Sequence, residues 1–231
     1  MKKIVRLTES DLNKIVRRVL SESSGSKGLN RGTLENVYKT YNNLGSSGTF
    51  DELFKTGREK NIIPYNMMVN GCATKVSLAL NAAGQKIDPP KSGTFGTTLK
   101  VTDGPKKGQH VNVNAAKLRD ELLSKWGKPD VQISGVQSLE QVQNEIGPGV
   151  SGVYICAPCG FNGASGHAII WSWWKNNGKG GELDDTTYPQ ENGGNIYFWQ
   201  VGGNNEETAK QCGYNNWAEY KKAKFKCKTE L

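Results

Sequence analysis

The sequence predicts an α+β fold in which N-terminal helices pack on a later antiparallel sheet, and two contrasts along the chain predict it. As far as Trp126, apolar side chains recur at helical spacing and the stretches stop at glycine or proline. Beyond residue 150 the character changes. Val150–Ile155, His167–Trp174 and Asn195–Val201 are short β-branched and aromatic runs separated by glycine- and asparagine-rich turns, the pattern of a strand meander. Helices first and antiparallel strands later give the α+β class.

The first helix starts at Thr8, a good N-cap with Asp11 three residues on, and carries Leu12, Ile15, Val16, Val19 and Leu20 as one apolar stripe. Ser21-Glu22-Ser23-Ser24-Gly25-Ser26-Lys27-Gly28 follows, a flexible linker by composition. The expected organisation is therefore a leader helix over 1–20, a linker over 21–31 and a single body over 32–231. The stripe needs a partner, which is either the surface of the body or a separate docking surface. In the body, helical stretches are expected at Leu34–Tyr41 and Phe50–Lys55. Another covers Ala73–Ala83, with Ala73, Val76, Leu80 and Ala83 on one face and Gly84 to stop it. Asn114 caps a helix over Ala115–Trp126 that ends at Gly127 before Pro129, and Ser138 with Gln141 makes a capping-box pattern for the next. Trp217–Phe225 reads as a last helix, and no internal repeat is present.

The 231 residues suit one globular domain with one site. Six tryptophans and eight tyrosines supply buriable surface, which excludes a wholly disordered chain, while 28 glycines indicate a loop-rich one. The 30 basic against 22 acidic residues leave a net charge of +8, suited to an anionic polymer such as nucleic acid, acidic lipid or bacterial wall. No basic run of five or six residues and no base-reading module accompanies that charge, so nucleic acid is not expected as a partner. No apolar run approaches the roughly eighteen residues a membrane span requires. The basic start, Met1-Lys2-Lys3-Ile4-Val5-Arg6, lacks the apolar segment of a secretory signal peptide, so if the protein works outside the cytoplasm, something other than a general signal peptide delivers it.

Only two histidines exist, and any imidazole chemistry must use one of them. His110 lies in the basic stretch Lys106-Lys107-Gly108-Gln109-His110 and reads as an exposed turn residue. His167 follows Ser165-Gly166 and opens the apolar run Ala168-Ile169-Ile170-Trp171, a rigid mounting of the kind a general base needs. The ordinary use of such a residue is as a hydrogen-bonded core histidine. Cys72 falls at the start of the Ala73–Ala83 helix, where unpaired N–H groups and the positive end of the dipole favour a thiolate. Its ordinary use is as a buried apolar residue. A helix-borne cysteine and a strand-borne histidine together make the papain-like arrangement for nucleophilic catalysis. The five cysteines support that assignment, because Cys156 with Cys159 and Cys212 with Cys227 can form two disulfides and leave Cys72 as the odd thiol. Metal binding or a thioredoxin-like redox role for Cys156-Ala157-Pro158-Cys159 is the other reading, although no histidine nearby completes a zinc set. No metal or cofactor is expected.

These residues resemble a family. Asn70-Gly71-Cys72-Ala73-Thr74-Lys75-Val76-Ser77-Leu78-Ala79-Leu80-Asn81-Ala82-Ala83-Gly84 looks like the Asn-X-Cys-Ala helix of the amidase effector 4 family of type VI secretion. Ser165-Gly166-His167-Ala168-Ile169-Ile170-Trp171 looks like its Gly-His strand, and Ile196-Tyr197-Phe198-Trp199 like its closing strand, the whole covering residues 48–201. The resemblance implies an NlpC-like, papain-like fold and a toxin that cleaves the amide between D-glutamate and meso-diaminopimelate in peptidoglycan stems. It also implies a cognate immunity protein, delivery into the periplasm of a target cell, and no cofactor. It makes Cys72 the nucleophile, His167 the base and then the acid, and backbone N–H groups near Cys72 the oxyanion donors. The motif residues Asn70, Gly71, Gly166 and Trp171 are expected to meet substrate.

Two features depart from the family pattern. The family has an acidic residue soon after the Gly-His strand to orient the imidazole; here Lys175–Gly181 intervenes, so Asp184 is the first candidate, Asp185 the second and Asn176 a papain-style amide alternative. The leader helix over 1–20 is extra, and it resembles short loading leaders, which implies docking to a component of a contractile injection or type VI secretion machine. Two other functions fit the same residues. One is a noncatalytic wall- or glycan-binding module with Cys72 simply buried. The other is a different papain-like enzyme acting on protein, such as a protease, deamidase or transglutaminase.

Overall fold

The computed structural model describes residues 37, 40–41, 44, 47–63, 71–90, 98–147, 150–159, 166–172, 180–182, 193–201, 210, 213–216 and 219. All of them belong to one unit, Arg31–Leu231. The expected leader helix, its linker and the Trp217–Phe225 helix lie outside the described residues.

A 3-10 stretch over Ser47–Phe54 runs into a short helix, α1 (Lys55–Glu59), close to the expected Phe50–Lys55 element. The N-cap position of α1 is Phe54, whose side chain cannot accept a hydrogen bond, and the capping acceptor comes from elsewhere in the chain. Asp103 receives the Thr56 amide at 2.9 Å, the Thr56 hydroxyl, and the Thr102 hydroxyl at 2.6 Å. These bonds from Thr102 and Thr56 hold the Asp103 carboxyl below its ordinary value of 3.8. A carboxyl lowered on folding stabilises the native state above its unfolded value and loses that contribution as pH falls through the native one. Asp103→Asn is therefore expected to flatten the acid limb of the stability curve below about pH 4, measured by thermal unfolding from pH 7 down to pH 2.

The helix α2 (Gly71–Ala82) begins two residues before the expected Ala73, which places Cys72 inside its first turn. Its residues from Ala73 to Leu80 are all buried, so the single apolar stripe expected from sequence is only half of its contact surface. Ala73, Val76, Ala79 and Leu80 enter one core, while Leu78 enters another with Phe50, Phe54 and Val111. Gly84 ends the helix at a φ of 84°, as its position implied.

The second core lies under a two-stranded antiparallel pair, β1 (Thr98–Lys100) and β2 (His110–Asn112). His110 is thus the first residue of a strand and half-buried, not a free turn residue, because its backbone is recruited into the pair and its carbonyl accepts from Asn81 Nδ2 at 2.9 Å. Asn112 is fully buried and its polar atoms are satisfied by three elements. Its amide meets Ser77 Oγ of α2 at 3.1 Å, its Oδ1 accepts from Thr98 Oγ1 at 2.6 Å, and its Nδ2 donates to Glu121 at 2.9 Å.

Glu121 belongs to α3 (Ala115–Trp126), which has the predicted boundaries. Asn114 accepts from the Lys117 amide at 3.1 Å, and Gly127 follows at a φ of 73°. Asn114→Ala is expected to cost about 1 kcal/mol, read as a shift in the urea midpoint. At the far end of α3, burial opposes the charge on Lys125, but Glu121 at 2.9 Å and Asp88 at 3.0 Å outweigh it and hold the ammonium above its usual range.

Strand β3 (Val131–Val136) leads to α4 (Leu139–Ile146), capped by Ser138 as expected. The return arm differs from a capping box, because Gln141 Oε1 accepts from the Gln137 amide at 2.9 Å rather than from the cap residue itself. The sheet is completed by β4 (Gly152–Cys156), β5 (His167–Ser172), β6 (Gly181–Glu182) and β7 (Gly194–Gln200). Its order is β3-β7-β4-β5-β6, all pairs antiparallel. It is not a simple meander: the last strand enters between β3 and β4, where both of its faces find cover. Ala168, Ile170, Val153, Ile155 and Trp199 meet α2 and α3 on one face. Tyr154, Ile169, Trp171, Ile196 and Phe198 meet Val142 and Ile146 of α4 on the other.

Candidate active site

Two element starts carry the chemistry expected of this chain. Cys72 is the second residue of α2, half-buried, and takes part in no disulfide. The amides of a first helical turn have no acceptor inside the helix, so they face whatever lies at that end. His167 is the first residue of β5, 6% exposed, and pairs in register with Cys156 of β4. The residues that follow each of them, Ala73 and Ala168, belong to the same core, and α2 packs directly on β5. Small side chains at both positions let helix and strand approach closely.

Gly166 has no room for a side chain. A Cβ there would lie 2.9 Å from the Cys156 carbonyl oxygen and 3.0 Å from the Ala115 Cβ of α3. The glycine before His167 is thus required by packing between β4 and α3, a reason that sequence alone did not reveal. Trp171 is placed differently from the expectation that it meets substrate. It is fully buried on the face away from α2, stacked on Tyr154 at 5.6 Å, with Gly180 closing over its indole. Alternation along β5 is the physical reason: Ile169 and Trp171 share the α4 side, while Ala168 and Ile170 share the α2 side. Gly71 opens α2 beside Cys72. Asn70, Asn176, Asp184 and Asp185 lie outside the described residues.

The turn after β4 is closed by a disulfide between Cys156 and Cys159, with Cα atoms 5.6 Å apart. In this bridged state neither sulfur is available as a thiolate ligand for a metal. Cys212 and Cys227, the second expected pair, lie outside the described residues. Among the described residues no group of three or more His, Cys, Asp or Glu side chains is arranged to hold a metal ion, and no helix is long and apolar enough to cross a membrane.

Two basic residues near these elements carried no sequence signal. Lys75, one turn along α2 from Cys72, is buried with its ammonium 4.1 Å from the centre of the Tyr41 ring. Arg119 of α3 donates from Nη1 to the Ala157 carbonyl at 3.0 Å and lies 5.2 Å from the centre of the Tyr197 ring. Its partner is a backbone atom 38 residues away, which no spacing rule anticipates.

Comparison with known proteins follows the same positions. A family model described as type VI secretion system (T6SS), amidase effector protein 4, matches residues 68–199, a span that includes both Cys72 and His167. Two solved structures share the fold. The effector Tae4 from Salmonella typhimurium, in complex with the immunity Tai4 from Enterobacter cloacae, superposes with a TM-score of 0.51 at 15% identity, covering 74% of this chain and 99% of that one. A selenomethionine variant of the Salmonella typhimurium Tae4/Tai4 effector–immunity system gives 0.53 at 16% identity with the same coverage. No curated protein matches the chain in sequence.

Proposed function

This chain belongs to the type VI secretion system amidase effector protein 4 family, whose members are cell-wall amidases, and on that premise we propose how its own residues carry the reaction. The Cys72 thiolate attacks the carbonyl carbon of the amide between D-glutamate and meso-diaminopimelate in a peptidoglycan stem. Amides at the start of α2 receive the oxyanion. His167 takes the thiol proton, delivers it to the leaving amine, and then activates the water that hydrolyses the thioester. Asp184 orients the imidazole, with Asp185 or Asn176 as the alternatives. The observation that supports this assignment is the seating of α2 on β5, which joins the element opened by Cys72 to the element opened by His167 through one core.

Gly166, packed beside His167, keeps its place as a proposed substrate contact, whereas the burial of Trp171 leaves that side chain no surface for substrate. Asn70 and Gly71 keep their places with Gly166. The net charge of +8 suits the anionic wall.

Digestion of purified peptidoglycan tests the reaction. Chromatography with mass detection is expected to show stem fragments with a new D-glutamate carboxyl and a free diaminopimelate amine. Intact muropeptides with tight sacculus binding would instead establish a binding module, and turnover of protein alone would establish a different papain-like hydrolase.

The remaining assignments concern delivery. The effector acts in the periplasm of the target cell, and a cognate immunity protein shields the producer, as Tai4 is paired with Tae4 in the solved complexes. The segment 1–20 docks to a component of the secretion or injection machine. Deletion of residues 1–27 is expected to leave hydrolysis of sacculi unchanged while abolishing export, measured as effector in the medium of producing cells. A truncated protein that no longer hydrolyses would place the helix in the catalytic body.

A further inference from the structure

The strand end that carries His167 is gripped by α3 at two points one helical turn apart. Ala115 fills the space beside Gly166, immediately before His167. Arg119, on the same face of α3 at the i+4 position, donates to the carbonyl of Ala157, the residue after the register partner of His167. The turn that carries Ala157 is closed by the Cys156–Cys159 bridge and tied to β7 by Ala157 N to Asn195 O at 2.9 Å and Asn195 N to Pro158 O at 3.1 Å. Arg119 is itself held in place. Asp120 accepts from its Nε at 2.9 Å and its Nη2 at 2.7 Å, and the Tyr197 ring lies beside the guanidinium.

We propose that Arg119 is a positioning residue for the hydrolysis, fixing through the Ala157 carbonyl the paired ends of β4 and β5 from which His167 acts. The inference rests on the reading of His167 as the base. A planar guanidinium suits the task because it can bond a carbonyl with one nitrogen while a carboxylate holds the other two. Small displacements at such a site matter: a shift of about 1 Å in a catalytic group can cost on the order of a hundredfold in rate. Substrate binding, which involves other groups, is untouched by the same shift.

Kinetics of Arg119→Met on a soluble stem peptide test this. The variant keeps the apolar stem and loses both charge and hydrogen bonds. Its kcat is expected to fall ten- to a hundredfold with KM unchanged, and Arg119→Lys, which can still reach one acceptor, is expected to recover a substantial part of the loss. A folded Arg119→Met with kcat within twofold of wild type would overturn the proposal, as would a fall confined to KM. Should Arg119→Met not fold, Asp120→Asn loosens the guanidinium without removing it. A severalfold fall in kcat alone is then expected, and an unchanged kcat overturns the proposal equally. His167→Ala, run in parallel, separates the two levels. Retained hydrolysis there removes the underlying reading of the base, whereas an inactive His167→Ala beside a fully active Arg119→Met removes only the role of Arg119.

Discussion

Alanine at His167 is expected to lower kcat by about four orders of magnitude or more, and adding Cys72→Ala to that variant is expected to cost little further. In the proposed reaction the two residues act on one proton and one bond, so removing either leaves the other without a task. Energies of groups that work as a unit do not add. The measurement is single-turnover cleavage of a stem peptide by both single variants and the double variant. A double variant whose loss equals the product of the single losses would mean that the two side chains work independently. His167 is buried, so its replacement also disturbs packing, and His167→Gln serves as the partner variant that keeps most of the volume. Equal urea midpoints for His167→Gln and wild type would assign the loss to chemistry.

The largest effect on stability is expected at Gly152, where alanine should cost about 3 kcal/mol or more. Gly152 opens β4 between β5 and β7 and pairs in register with Trp171 on one side and Gln200 on the other. A Cβ there would lie 2.0 Å from the Trp199 carbonyl oxygen and 2.9 Å from the Gln200 Cα. Those atoms are backbone, held by a central strand whose neighbours are covered on both faces, so no side-chain rotation relieves the clash. Gly127 provides the contrast. It has nothing within 4 Å of a built Cβ, and alanine there meets only the backbone cost of φ 73° with ψ −155°, a region nearly restricted to glycine, of about 1–3 kcal/mol. Urea unfolding of the two variants compares steric exclusion with backbone preference in one molecule. Similar small losses at both sites would show that β4 can shift away from β7.

Local signals were the readable ones. The ends of α3 were legible because Asn114 and Gly127 act within their own turn, and the starts of β5 and β7 were legible because β-branched and aromatic residues cluster there. Three kinds of feature were hidden. The strand Val131–Val136 carries Ser134 and Gly135 where its register with β7 breaks, so its alternation is too irregular to read. The double-sided burial of α2 depends on Leu78 meeting phenylalanines from a distant 3-10 segment. Trp171 looked like a contact for substrate because it sits in a motif, yet strand alternation turns it to the core. Cys72 and His167 were singled out because cysteine and histidine are scarce here and each begins an element, whereas Arg119 bonds a main-chain atom and leaves no trace in residue type.

The Cys156–Cys159 bridge, with its residues at 2% and 4% exposure, also gives this protein an internal clock. A reducing thiolate must reach a sulfur in the bridge, and in the closed protein both residues are almost fully covered. Cleavage therefore waits for a local opening, and at saturating reductant the rate at which Cys156 and Cys159 themselves become alkylated, followed by peptide mapping, reports those openings. Timing the exposure of these two thiols thus measures how often the end of β4 that pairs with His167 opens, with no substitution made in the chain.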